Sequence, residues 1–172
     1  MSSFYLPVPS RGAGCSPCED CPGPYDLIFP DHLNVFHELL KRSGVKIDNT
    51  DEVTILAPSN TAFYRYIDER HPEFGGDLVG WMHTIDPGMA RRIVRHHIIR
   101  GHLSLSELKY STKMLLVNLA SGNVPLRHKN GSIRVGEECD RINIVLPDVC
   151  LGNRGLAHVI DGVISTDHLL FT

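Results

Sequence analysis

Between Asp31 and Tyr110 the chain, apart from one short run at Val53–Leu56, spaces its apolar residues three and four apart, and after Tyr110 it gathers them into short runs rich in β-branched residues. That segregation excludes a repeating β-α-β order and predicts an α+β fold. Leu33, Phe36, Leu39 and Leu40, stopped by Ser43-Gly44, predict an amphipathic helix over 32–42. Val53-Thr54-Ile55-Leu56, closed by Ala57-Pro58, predicts a short buried strand. Ser59 or Asn60 then caps a helix carrying Phe63, Tyr64 and Ile67. Two more helices are expected over 77–85 and 87–97, and Ser104 with Glu107 three places on marks a further helical turn. Strands are expected over 114–119, 124–128, 132–135, 142–146 and 157–164. Asn130-Gly131 joins two of them, because this pair supplies the positive φ angles of a two-residue hairpin turn.

A chain of 172 residues is one domain with some chain to spare. The spare part is at the front. Pro7, Pro9, Pro17, Pro22, Pro24 and Pro30, with Gly12, Gly14 and Gly23, discourage regular structure before Asp31. Residues 1–30 therefore read as a Pro/Gly/Cys-rich arm and residues 31–172 as the folded domain. Seventeen Lys and Arg against 20 Asp and Glu leave a net charge of −3, without the basic excess of a nucleic-acid binder. No apolar run approaches the ~20 residues that span a bilayer, so direct membrane insertion is not expected. The start carries no basic segment leading into an apolar one, which favours residence inside the cell, with a removed leader as the alternative.

Three segments resemble the fasciclin domain family. Val53-Thr-Ile-Leu-Ala-Pro-Ser-Asn-Thr-Ala-Phe63 is similar to its first signature, a strand running through Ala-Pro into a helix. His96-His97-Ile98-Ile99-Arg100-Gly101-His102-Leu103 is similar to its Tyr-His-(Val/Ile)-(Val/Ile)-x-Gly-x-Leu segment, with His96 in the place of the tyrosine. Asp148-Val149, followed by Gly155-Leu-Ala-His-Val-Ile-Asp-Gly-Val-Ile164, is similar to the closing motif. The resemblance covers about residues 31–166. It implies a fasciclin-like β-wedge or sandwich packed with several α-helices, and a role in adhesion or protein–protein interaction. In secreted relatives the Tyr-His segment is associated with integrin binding, which makes His96, His97, Ile98, Ile99 and Leu103 the implied partner-binding residues. The residues themselves offer a second reading, in which His97 is a core histidine bonded to backbone and His96 is the surface member of the pair.

Enzyme motifs fail on inspection. His37-Glu38-Leu39-Leu40 begins like the His-Glu-x-x-His of zinc proteases, but position 41 is Lys. Nucleophile-elbow, phosphate-loop and dinucleotide fingerprints are lacking, and Asp31, His32, His37, Asp167 and His168 form no recognisable constellation. Cys15-x-x-Cys18-x-x-Cys21 has the spacing of a zinc site, whose fourth ligand would be Cys139, Cys150 or a histidine; a labile disulfide or free thiols suit the same residues. Five cysteines cannot all pair within one chain. Arg91, Arg92, Arg95 and Arg100 form a basic strip, suited to a solvated helix face or to an acidic protein surface.

The resulting expectation is a non-enzymatic interaction module with other proteins as partners, the arm extending its contacts, and no cofactor apart from zinc at the cysteine cluster. A structural place in an intracellular assembly, cytoskeletal or axonemal, is the first expectation. A secreted or cell-surface adhesion protein is the second and a zinc-stabilised regulatory module the third.

Overall fold

Residues 29–47, 52–136, 141–151 and 155–164 are described by the computed structural model. A 3-10 turn, Asp31–Leu33, leads into α1, Asn34–Ser43, whose stripe of Val35, Phe36 and Leu39 is buried. Then come β1 (Val53–Pro58), α2 (Asn60–Arg70), a 3-10 turn (Pro72–Phe74), α3 (Leu78–Thr84), α4 (Pro87–His96), β2 (Ile98–Arg100) and α5 (Leu105–Leu108). Five strands complete the order: β3 (Lys113–Val117), β4 (Asn123–Lys129), β5 (Ser132–Val135), β6 (Ile142–Cys150) and β7 (Leu156–Ile160). The helix starts follow from their caps. Ser59, Asp77 and Asp86 each accept a hydrogen bond from a first-turn backbone N–H, and Ser104 and Glu107 form a capping box.

The strands form one seven-stranded sheet in the order β2-β1-β7-β6-β5-β4-β3. Only the β1–β7 pair is parallel. The sheet curls until its two edges touch, where Ile99 bridges to Asn118 and the Leu119 N–H donates to the Ile98 carbonyl at 3.0 Å. This creates two cores. Ile55, Ala57, Ile98, Ala157 and Val159 face the helical layer, packing with Phe36, Phe63, Trp81 and Val94. Leu56, Ile99 and Ile160, the alternate residues of the same strands, face the inside of the curl with Leu116, Val124, Leu126, Ile133 and Ile142. Central strands buried on both faces cannot alternate apolar with polar, which is why β1 and β7 read as continuous apolar runs.

The α+β reading is the architecture found, with three local differences. Ile98–Arg100 is a strand that the sequence conceals, since three residues directly behind a helix show no period of their own. β6 runs on to Cys150 because Pro147 and Asp148 sit at register shifts between Leu146 and Val149, and a bulge tolerates the missing proline N–H. β7 ends at Ile160, where Asp161 turns to accept the Asn143 N–H at 2.7 Å. The expected hairpin closes as Lys129 pairs with Ser132, Asn130 and Gly131 taking φ of 53° and 80°. No helix among the described residues is long and apolar enough to cross a membrane.

Candidate functional site

The His96–Leu103 segment is where a partner surface was expected, and the fold turns most of it inward. His97, Ile98 and Ile99 are fully buried, His96 is 8% exposed and Leu103 is half-buried. The His96 Nδ1–H donates to the Arg92 carbonyl at 2.7 Å, so the expectation that His96 is the surface member of the pair is corrected: both rings fold back on α4. His97 donates from Nδ1 to the Ile93 carbonyl at 2.8 Å and accepts at Nε2 from the Ile164 N–H at 2.9 Å. Those bonds require a neutral ring, and burial pushes its pKa down to about 4. Gly101 turns the chain at φ 103°, a left-handed value that a side chain resists, while its N–H donates to the Glu52 carbonyl.

The closing motif is tied to the same turn. His158, fully buried, donates from Nε2 to the Leu103 carbonyl at 2.7 Å and accepts at Nδ1 from the Asp148 N–H at 3.1 Å. Asp148, held at φ 55° by the β6 bulge, accepts the Leu105 N–H at 2.9 Å. Thr54 donates to the Gly101 carbonyl and accepts the Leu103 N–H. Burial lowers the His158 pKa, which keeps this ring neutral as its two bonds demand. In the first signature, Asn60 works at a distance: its Oδ1 accepts the Val35 N–H at the start of α1 and its Nδ2 donates to the Asp31 carbonyl. These polar residues join segments far apart in sequence by bonding to backbone groups. Their arrangement holds the fold.

What the molecule displays lies elsewhere. On the outer side of β3, Leu115 is 62% and Val117 43% exposed, beside Pro125 of β4, and Lys113, Arg127 and Arg134 align across β3, β4 and β5. A second feature is a cleft of about 280 Å³ between α2, the 72–74 turn, α3 and α4, where Tyr66, His71, Phe74 and Trp81 meet Met89 and Arg92. Sequence reasoning missed it, although the His71-Pro72-Glu73-Phe74 turn behind the aromatic face of α2 was its signal. Arg91, Arg92 and Arg95 of the basic strip stand exposed on α4, and Arg100 is exposed at the end of β2.

Cys15, Cys18, Cys21 and Cys139 lie outside the described residues, as do Asp167 and His168. Cys150 is disulfide-bonded. Among the described residues no group of three or more His, Cys, Asp or Glu side chains could hold a metal ion. His37 stacks on Phe29 at 4.5 Å between ring centroids, and Glu38 pairs with Lys41 and Arg42, so the protease-like fragment of α1 serves packing and ion pairing.

The sequence model of the fasciclin domain matches residues 31–166. Among solved structures, the chain is similar to a FAS1 domain pair from the insect cell adhesion molecule fasciclin I, with a TM-score of 0.53 and 22% identity. That match covers 77% of this chain and 45% of the other, so it spans less than half of the domain pair and bears on the fold alone. A search of curated proteins finds no match. With the family's motifs accounted for by the bonds above, the chain belongs to the fasciclin domain family, a family of adhesion and protein-interaction modules.

Proposed function

We propose that this chain is a non-enzymatic docking module that binds a partner protein through the outer face of β3 and β4. The observation that carries the reading is the exposure of Leu115 and Val117 side by side with Pro125, bordered by the cations Lys113 and Arg127. An apolar centre with a charged rim is the anatomy of a protein interface. Within the His96–Leu103 segment, Ile98 and Ile99 contribute indirectly, by joining β2 to the residues directly after β3.

The test places a photo-crosslinking residue at position 115 in the source cell, with exposed Val79 on α3 as the control position. One discrete adduct from 115 and none from 79 supports the reading. Equal or absent adducts reject it. Val117→Asp should then remove the adduct while leaving the domain folded.

For the setting, the cysteine chemistry favours the secreted or cell-surface alternative over the cytoskeletal or axonemal one, because disulfides persist in oxidising compartments. Intact mass of native protein with and without alkylation distinguishes the two. A Cys150 thiol that alkylates without reductant would return the domain to an intracellular assembly. A zinc increment lost on chelation would support the regulatory alternative built on Cys15, Cys18 and Cys21.

A further inference from the structure

The aromatic cleft is built from other elements than the β3–β4 face, and its chemistry is more specific. The His71 ring centroid lies 5.9 Å from that of Tyr66, 6.3 Å from Phe74 and 6.4 Å from Trp81. A sealed core would consume these rings, yet Tyr66, His71 and Phe74 stay half-buried and Met89 is 39% exposed. The volume of about 280 Å³ is just under the ~300–1,000 Å³ of small-molecule sites and suits one large side chain from a partner. Met89 adds an adaptable wall, and buried aromatic anchors of this kind supply most of the affinity of protein interfaces.

Charge selects the occupant. α4 carries Arg91, Arg92 and Arg95 and no carboxylate between Pro87 and His96. Arg92 lines the cleft, and on α2 the Arg70 guanidinium lies 5.7 Å from the centre of the Tyr66 ring. The acid lining the cleft, Glu73, is held 3.5 Å from His71 Nδ1. A cationic anchor would meet Arg92, whereas an anchor flanked by carboxylates would find it. We infer that the cleft is the docking site for an acidic protein segment that inserts one aromatic or long aliphatic side chain beside Trp81 and sets a carboxylate on Arg92.

Trp81 is the chain's single tryptophan, so its fluorescence reports on the cleft directly. The probe is the capped peptide Ac-Glu-Asp-Phe-Asp-Glu-NH2, compared with versions carrying Ala for Phe or Lys for every acid. The expected result is a saturable change in Trp81 emission with the first peptide and at least tenfold weaker binding of the other two. Arg92→Glu and Met89→Phe, which reverse the charge and fill the mouth from exposed positions, should each weaken binding at least tenfold with urea midpoints unchanged. No saturable change at millimolar peptide, equal binding of the lysine peptide, or indifference to both substitutions would overturn the inference. So would a self-association that Met89→Phe abolishes in sedimentation, since it would give the cleft to a second copy. Crosslinking at position 115 should be unaffected by either substitution, since Leu115 does not line the cleft, so this site and the β3–β4 face fail or succeed separately.

Discussion

His97 offers the sharpest test of the fold's logic, because its role and its ionisation are set by the same two bonds. The folded ring must be neutral to accept the Ile164 N–H, and burial holds its pKa at about 4 against an ordinary 6.5. Between these values the unfolded chain binds a proton that the folded chain refuses, so stability is full above pH 6.5 and falls as pH drops towards 4. From pH 8 to pH 5 the loss from this one group is about 2 kcal/mol, rising to about 3 kcal/mol at pH 4. The perturbation is His97→Gln. Its amide cannot reach both partners, and leaving either the Ile93 carbonyl or the Ile164 N–H without its side-chain bond costs about 1–3 kcal/mol at any pH. Urea unfolding of both proteins at pH 8 and pH 5, followed by Trp81 fluorescence, separates the two effects. His158 shifts in the same direction in both proteins and cancels in the comparison. The variant should be less stable at pH 8 but should lose about 2 kcal/mol less than wild type on going to pH 5. An equal loss in both, or an NMR titration of the His97 ring with a midpoint near 6.5, would refute the account.

Asn60→Ala should cost about 1–2 kcal/mol in urea unfolding, since it leaves the Val35 N–H in the first turn of α1 without its acceptor and removes one of the two bonds to the Asp31 carbonyl. Leu126→Ala, deep in the curl of the sheet, should cost about 2–5 kcal/mol, and a loss below about 1 kcal/mol would mean that the second core is not packed as described. Gly101→Ala should cost about 1–3 kcal/mol from backbone strain alone, because a Cβ there meets nothing closer than 3.7 Å; thermal unfolding with retained near-UV dichroism checks it.

The helical half was legible because most of its helices announce themselves locally, by a stripe, a cap or both. Asp86 before Pro87 and Ser104 before Glu107 are local signals, readable without knowing what lies across the fold. The Asn130-Gly131 hairpin was legible for the same reason. β2 was not, since Ile98–Arg100 becomes a strand only by lying beside β1. The β6 bulge was equally hidden, because Asp148 takes its left-handed backbone to meet Leu105 and His158, 43 and 10 residues away in sequence. The cleft illustrates the same limit. Tyr66, Phe74, Trp81 and Met89 come from four separate segments, and nothing in their spacing says that they converge.

The residues by which this chain is recognised as a fasciclin domain are, for the same physical reason, poor guides to what it binds. A motif that joins distant segments must be buried to be effective, as Thr54, Asn118, His97 and His158 are. A buried motif has no surface to offer. The parts free to differ between relatives are the outward positions of β3 and β4 and the solvent side of α4, where Leu115 or Arg92 can change without disturbing either core. On these faces the two docking readings make opposite demands. Leu115 needs an apolar partner surface and tolerates salt, whereas Arg92 needs carboxylates and loses grip as ions screen them over ~8–10 Å. Raising salt from low to physiological strength should therefore weaken peptide binding at the cleft several-fold and leave crosslinking at position 115 nearly constant. The reverse pattern would exchange the roles assigned to the two faces.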